Sequence, residues 1–169
     1  PTVGPKDATF TLIEASDYLC PHCQKVHKEV KNVLKKYKDK LKFVQVNYAL
    51  RPNQDSGTYI RGAHCAQKQS EGLFWKYHHL TFERLALQES KDVKESAFNT
   101  ALKLAKEVGA DESKFKTCLT SEDSKTAILA NNDRLSKVGV HSTPTFFLNN
   151  KRVVIGPEGL EKALEKLIQ

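Results

Sequence analysis

Methionine is absent from this 169-residue sequence, tryptophan occurs once, and no apolar run approaches the length that crosses a bilayer. The chain also has no secretory leader pattern. With the initiator missing as well, we expect a processed, mature segment. No internal repeat or low-complexity stretch is present, which excludes solenoids and points to one domain carrying an insertion. Arginine is scarce: lysine supplies 22 of the 27 basic residues behind the net charge of +7. The densest cluster, Lys28 to Lys42, fills positions left free by an apolar helical stripe, and no aromatic or arginine stripe accompanies it. A solvated helix face is expected, and no nucleic-acid partner. Of the four cysteines only Cys20 and Cys23 stand two residues apart, while Cys65 and Cys118 are isolated, so a structural zinc site would lack its second CxxC.

What is present is Cys20-Pro21-His22-Cys23. Thr9 to Ala15 is a β-branched and apolar run of strand length, and Val26, Val30, Val33, Leu34 and Tyr37 then recur at helical spacing. A strand therefore enters the cysteines and a helix leaves them, the setting in which CxxC reads as a redox pair. Unpaired N–H groups and the positive dipole end at the helix start favour an anion, so the Cys20 thiolate is expected to be stabilised and its sulfur to be the exposed nucleophile. Pro21 suits the first helical turn, and a protonated His22 would be a second positive partner for Cys20. A stable thiolate makes the corresponding disulfide a stronger oxidant.

Leu41 to Tyr48 reads as a second strand, completing a βαβ unit, and Arg51 to Gly57 is rich in turn formers. From Thr58 to Val138 the patterns are helical: Tyr59 to Gln69, Leu73 to Leu85, Val93 to Val108, Glu112 to Leu119 and Glu122 to Val138. Strands resume at Thr145 to Leu148 and Arg152 to Ile155, joined across Asn149-Asn150. A last helix after Pro157 carries Leu160, Ala163, Leu164, Leu167 and Ile168 on one face. The order predicts an α/β thioredoxin fold, βαβ then ββα with a mixed sheet, interrupted by an all-helical insertion. Residues 1–55 plus 139–169 would form the thioredoxin-like domain and 56–138 the helical cap.

Gly4 to Ala8, Glu14 to Tyr18, the CPHC motif, Ala63 to Phe82 and Thr143 to Phe147 together resemble the DsbA-like thiol:disulfide oxidoreductases, specifically the branch of short, BdbD-type enzymes. The resemblance covers nearly the whole chain. It implies a helical cap over the site, a cis Pro144 facing the cysteines and a Thr143 backbone that meets the substrate peptide. It also implies a location in the periplasm or bacterial cell envelope. Glu14 matches a buried acid of such enzymes; its neighbours Leu12, Ile13 and Ala15 would carry it inward, to exchange a proton with Cys23, unless the strand end exposes it to solvent. Related short members carry cysteines in the cap, where Cys65 and Cys118 lie. A disulfide between them would contribute on the order of 4 kcal/mol, the alternative being two buried thiols. Ala15, Ser142 and Asn149-Asn150 depart from the family pattern without removing a reacting group.

The function expected on this basis is that of a dithiol oxidase acting on reduced or unfolded proteins. It would need no bound cofactor and no metal, work as a monomer, and be reoxidised by a membrane partner of the DsbB or vitamin-K-epoxide-reductase-like type. A disulfide isomerase or reductase is the alternative within the same chemistry, and a peptide-binding, chaperone-like module the alternative outside it. The aromatic residues Phe74, Trp75, Tyr77 and Phe82 read as cap core. His64, His78 and His79 beside Cys65 do not make a metal site, because helical spacing spreads them over different faces.

Overall fold

The computed structural model describes residues 1–87, 95–156 and 158–168. Among these, strand β1 (Thr2–Val3) is followed by β2 (Phe10–Ser16), helix α1 (Pro21–Lys36) and β3 (Leu41–Asn47). Five helices come next: α2 (Asp55–Gln69), α3 (Glu71–Ala86), α4 (Ala97–Glu107), α5 (Glu112–Thr120) and α6 (Glu122–Lys137). The chain closes with β4 (Thr145–Leu148), β5 (Lys151–Val153) and α7 (Leu160–Glu165). The sheet order is β1-β3-β2-β4-β5, with β2 and β3 parallel and the other neighbours antiparallel. This is the mixed sheet of a thioredoxin fold with helices α2 to α6 inserted between β3 and β4.

Two cores divide the burial. Leu12, Phe43 and Phe146 from the central strands meet Val26, Val30 and Val33 of α1 and Leu160 and Leu164 of α7. The stripe at 23, 26, 27, 30 and 33 is the one face of α1 that leaves water. The second core belongs to the inserted helices, where Phe74, Tyr77 and Phe82 pack with Ile60, Leu104 and Phe115, and it extends to Tyr18, Cys20 and Cys23. Trp75, half-buried, touches both cores. Cys20 and Cys23 thus sit where the insertion closes over the sheet.

Several element bounds differ from the sequence reading for physical reasons. Strand β1 is only two residues long, too short to carry a pattern, yet it pairs with β3 at Val44 and Phe43. Helix α2 begins at Asp55, inside the stretch read as turn, and Gly57 is what allows it: a Cβ there would run into the Pro52 carbonyl. Strand β5 starts at Lys151, directly after Asn149 (φ 46°) and Asn150 (φ 67°), whose left-handed backbone makes the tight hairpin expected of them. Leu167 is half-exposed, since α7 ends at Glu165 and a turn rotates Leu167 off the buried face. Val93, the expected start of the fourth helix, and Pro157 lie outside the described residues.

Candidate active site

The sheet itself assembles the site. Because β2 and β4 are antiparallel with Ala15 opposite Thr145, the residues that precede Thr145 meet the loop that follows Ser16. The Cys20 thiol is accordingly 3.3 Å from the Thr143 carbonyl oxygen, and the Thr143-Pro144 peptide bond is cis.

Cys20 occupies the N-cap position of α1 and Pro21 its first turn. A capping side chain ordinarily accepts hydrogen bonds from backbone N–H groups two and three residues on. Here a sulfur takes that place. It makes no full capping hydrogen bond, yet the N–H groups of His22 and Cys23 act on it. The Cys23 thiol, donating to Cys20, lowers the Cys20 pKa most, burial opposes it, and Thr143 and the two N–H groups lower it further, to about 5. Cys23 goes the opposite way: burial and its bond to Cys20 push it far above the ordinary thiol range. Both are free thiols in this structure.

Cys20 is not the exposed sulfur anticipated from its place at a helix start. It is 5 % accessible and Cys23 0 %, because the loop carrying Thr143 lies over the pair. His22 is exposed and lines a groove of about 600 Å³ whose other walls include Lys25, Glu29, Thr143, Pro144 and Val154.

Glu14 is carried inward, at 1 % accessibility, opposite Gln45 on β3 and Phe146 on β4. Burial raises its pKa to about 8, the Ser16 hydroxyl opposes this, and a charge on Cys20 adds to it. A carboxyl on this strand, felt by Cys20, therefore keeps its proton at neutral pH. Cys65 and Cys118 form a disulfide joining α2 to α5 across 53 residues, with Cα atoms 5.7 Å apart.

Residues that sequence reading passed over hold the site in shape. Buried Asp17 accepts from Leu19 N (2.9 Å), Leu50 N (2.8 Å) and the Ser56 hydroxyl, and its own carbonyl accepts from Cys20 N (3.1 Å). One carboxylate thereby ties the cysteine loop to the start of α2. On α6, Asn132 exchanges two hydrogen bonds with the Ala49 backbone and Asn131 donates to the Asn47 carbonyl, fastening the insertion to the end of β3. His78 and His79, expected on separate faces, meet His27 of α1 among Phe74, Trp75 and Phe82. Burial first, then His79 and Lys31, takes His27 down to about 3, so that ring stays neutral. The only advance sign of this group was that His27 falls on the buried stripe of α1.

The chain belongs to the thioredoxin family: the family model described as Thioredoxin matches residues 1–166. Among curated relatives, the probable disulfide bond formation protein D of Bacillus cereus is 27% identical over 171 residues, covering 98% of this chain and 77% of that protein. A Na(+)/H(+) antiporter NhaA of Salinispora tropica is 28% identical over 153 residues, covering 88% of this chain. The chain spans only about a fifth of the length of such antiporter relatives, 21% in that case. Among solved structures, oxidised BdbD from Bacillus subtilis superposes with a TM-score of 0.81 at 24% identity, over 99% of this chain and 90% of that one. No helix among the described residues is long and apolar enough to cross a membrane.

Proposed function

We propose that the protein is a thiol:disulfide oxidoreductase working as a dithiol oxidase, which transfers a Cys20-Cys23 disulfide to reduced or unfolded proteins. The observation that carries this reading is the opposed pair of thiols: Cys20 lowered to about 5 at a helix N-cap, Cys23 raised by burial beneath it. A substrate thiolate attacks the Cys20 sulfur of the oxidised enzyme, forming a mixed disulfide and breaking the Cys20-Cys23 bond. Cys23 is a poor leaving group as a thiolate, and neutral Glu14 supplies the proton it takes up. A second substrate thiolate then attacks the substrate sulfur of the mixed disulfide and displaces Cys20, which leaves as a stable thiolate. The substrate has lost two electrons and the enzyme has gained them.

Thr143 offers its backbone to an extended substrate segment beside Cys20, Pro144 shapes that edge, and His22 with the groove beyond it receives the rest. The thioredoxin-like domain comprises residues 1–55 and 139–169, and the helical cap, stapled by Cys65-Cys118, residues 56–138. The enzyme acts as a monomer in the periplasm or envelope and is returned to its oxidised form by a membrane reoxidase of the DsbB or vitamin-K-epoxide-reductase-like type. The similarity to disulfide bond formation proteins D supports the direction. The test is to give the oxidised protein reduced, unfolded ribonuclease and, separately, to give the reduced protein scrambled ribonuclease. The oxidase reading predicts that the first gains disulfides rapidly and that the second recovers little activity. The reverse pattern would replace it with an isomerase.

A further inference from the structure

One ring nitrogen from each of His27, His78 and His79 lies within 4.8 Å of the other two, the one such grouping of metal-ligating side chains among the described residues. We propose that these three histidines bind one divalent late first-row transition metal ion, of the zinc class, which clips helix α1 to helix α3. Imidazole nitrogen is the donor that suits zinc, copper and nickel, and three of them with one open position make a four-coordinate site.

The geometry is close to what such an ion requires. Metal–nitrogen bonds of about 2.0–2.1 Å in a tetrahedron place the nitrogens about 3.4 Å apart. His27 Nε2 and His79 Nδ1 are 3.3 Å apart already. The third nitrogen, within 4.8 Å of both, needs about 1.5 Å of ring movement at most to reach that spacing.

The surroundings also match. Metal-bound imidazoles carry a hydrogen-bond partner on their free nitrogen, and Tyr18 Oη lies 3.1 Å from His78 Nδ1. When Nδ1 bears the proton and donates to Tyr18, the other ring nitrogen of His78 is left with a free lone pair. Aromatic rings wall the group: Phe82 stacks on His27, Phe74 on His78 and Trp75 on His79. His27 and His78 are buried, while half-buried His79 forms the outer edge, so water can occupy the fourth position and the ion has a way in. His27 and His79 already share a nitrogen-to-nitrogen hydrogen bond, which an ion would replace, while His78 adds a ring nitrogen within 4.8 Å of both. The charged groups nearest that edge are Lys31 and Glu83, which are paired at 2.6 Å and so cancel one another.

The experiment uses the untagged full chain with Cys20 and Cys23 oxidised, so that the redox pair offers no thiolate. Co²⁺ is titrated for its visible spectrum, and Zn²⁺ against a chromophoric chelator. The expected result is one ion per chain, a tetrahedral Co²⁺ band without sulfur-to-cobalt charge transfer, and X-ray absorption showing three nitrogen ligands. Tyr18→Phe should weaken binding about 10-fold and His79→Gln by more than about 100-fold. If His79→Gln does not fold, protection of His79 in the wild type from diethyl pyrocarbonate by Zn²⁺ replaces it, and unprotected labelling counts against the site. Absence of saturable one-to-one binding, or binding unchanged in His79→Gln, would overturn the proposal.

Discussion

The Cys20 thiol and the Thr143 carbonyl lie 3.3 Å apart although 123 residues separate them in sequence. A single backbone loop therefore both covers the reactive sulfur and presents the nearest hydrogen-bonding edge to anything that attacks it. The contact follows from the antiparallel register of β2 and β4, which aligns Ala15 with Thr145. Small changes at the strand ends will be felt at the sulfur.

The first expectation concerns that sulfur. In the reduced protein, thiolate absorbance at 240 nm should titrate with a midpoint near pH 5, and one equivalent of iodoacetamide should label Cys20 at neutral pH. Peptide mapping identifies the labelled residue. Reaction chiefly at Cys23 would exchange the roles given to the two cysteines.

Stability should depend on pH through the same group. A thiol ordinarily near 9 is lowered to about 5 in the folded, reduced protein. A lowered pKa adds stability that is complete above the unfolded value, partial between the two values, and lost as pH falls through about 5. The reduced form should therefore gain on the oxidised form as pH rises from 5 to 9, by on the order of 2 kcal/mol at pH 7. Urea denaturation of both redox forms at pH 4.5, 7 and 9 measures it, and a gap that does not change with pH would remove the thiolate as its source.

Glu14 has the opposite sign. Its pKa is raised from 4.5 to about 8, so it contributes most below pH 4.5 and stability is lost as pH rises through 8. Glu14→Gln should stabilise the protein at pH 9 by on the order of a few kcal/mol while slowing turnover at pH 7, because it removes the proton donor proposed for Cys23. Unchanged turnover with the stability gain present would leave the acid without a catalytic part.

Much of the fold was legible because its signals are local. The valines of α1 repeat at helical spacing, Thr145–Leu148 is a compact apolar run, and Asn149-Asn150 tolerates the left-handed backbone its turn requires. The cysteines could be read from spacing and position alone. What escaped depends on distant partners. Nothing around Asp17 announces that Leu50 and Ser56 will bond to it, and nothing around Asn132 points to Ala49. His78 and His79 could not be joined to His27 without the packing of α3 on α1. Cys20 reads as exposed from its helix start, and only the strand pairing reveals the loop above it.

Asp17 supplies a test of those long-range ties. Asp17→Ala would leave the Leu19 and Leu50 N–H groups without their acceptor and free the Ser56 hydroxyl, which should cost about 3 kcal/mol in urea denaturation. Alkylation of Cys20 should also lose its sharp titration near pH 5, since the loop holding Cys20 at the helix cap is released. A loss of stability with the Cys20 titration intact would make Asp17 a scaffold residue only.

The central claim is that the Cys20 thiolate is stable enough to make its disulfide an oxidant, and equilibration with glutathione buffers, read by quenched alkylation and mass spectrometry of the Cys20-Cys23 pair, tests it most directly. A stabilised thiolate predicts a reduction potential above about −150 mV, on the oxidising side of protein disulfide isomerase. A potential below about −230 mV, in the range of reducing enzymes, would contradict the account.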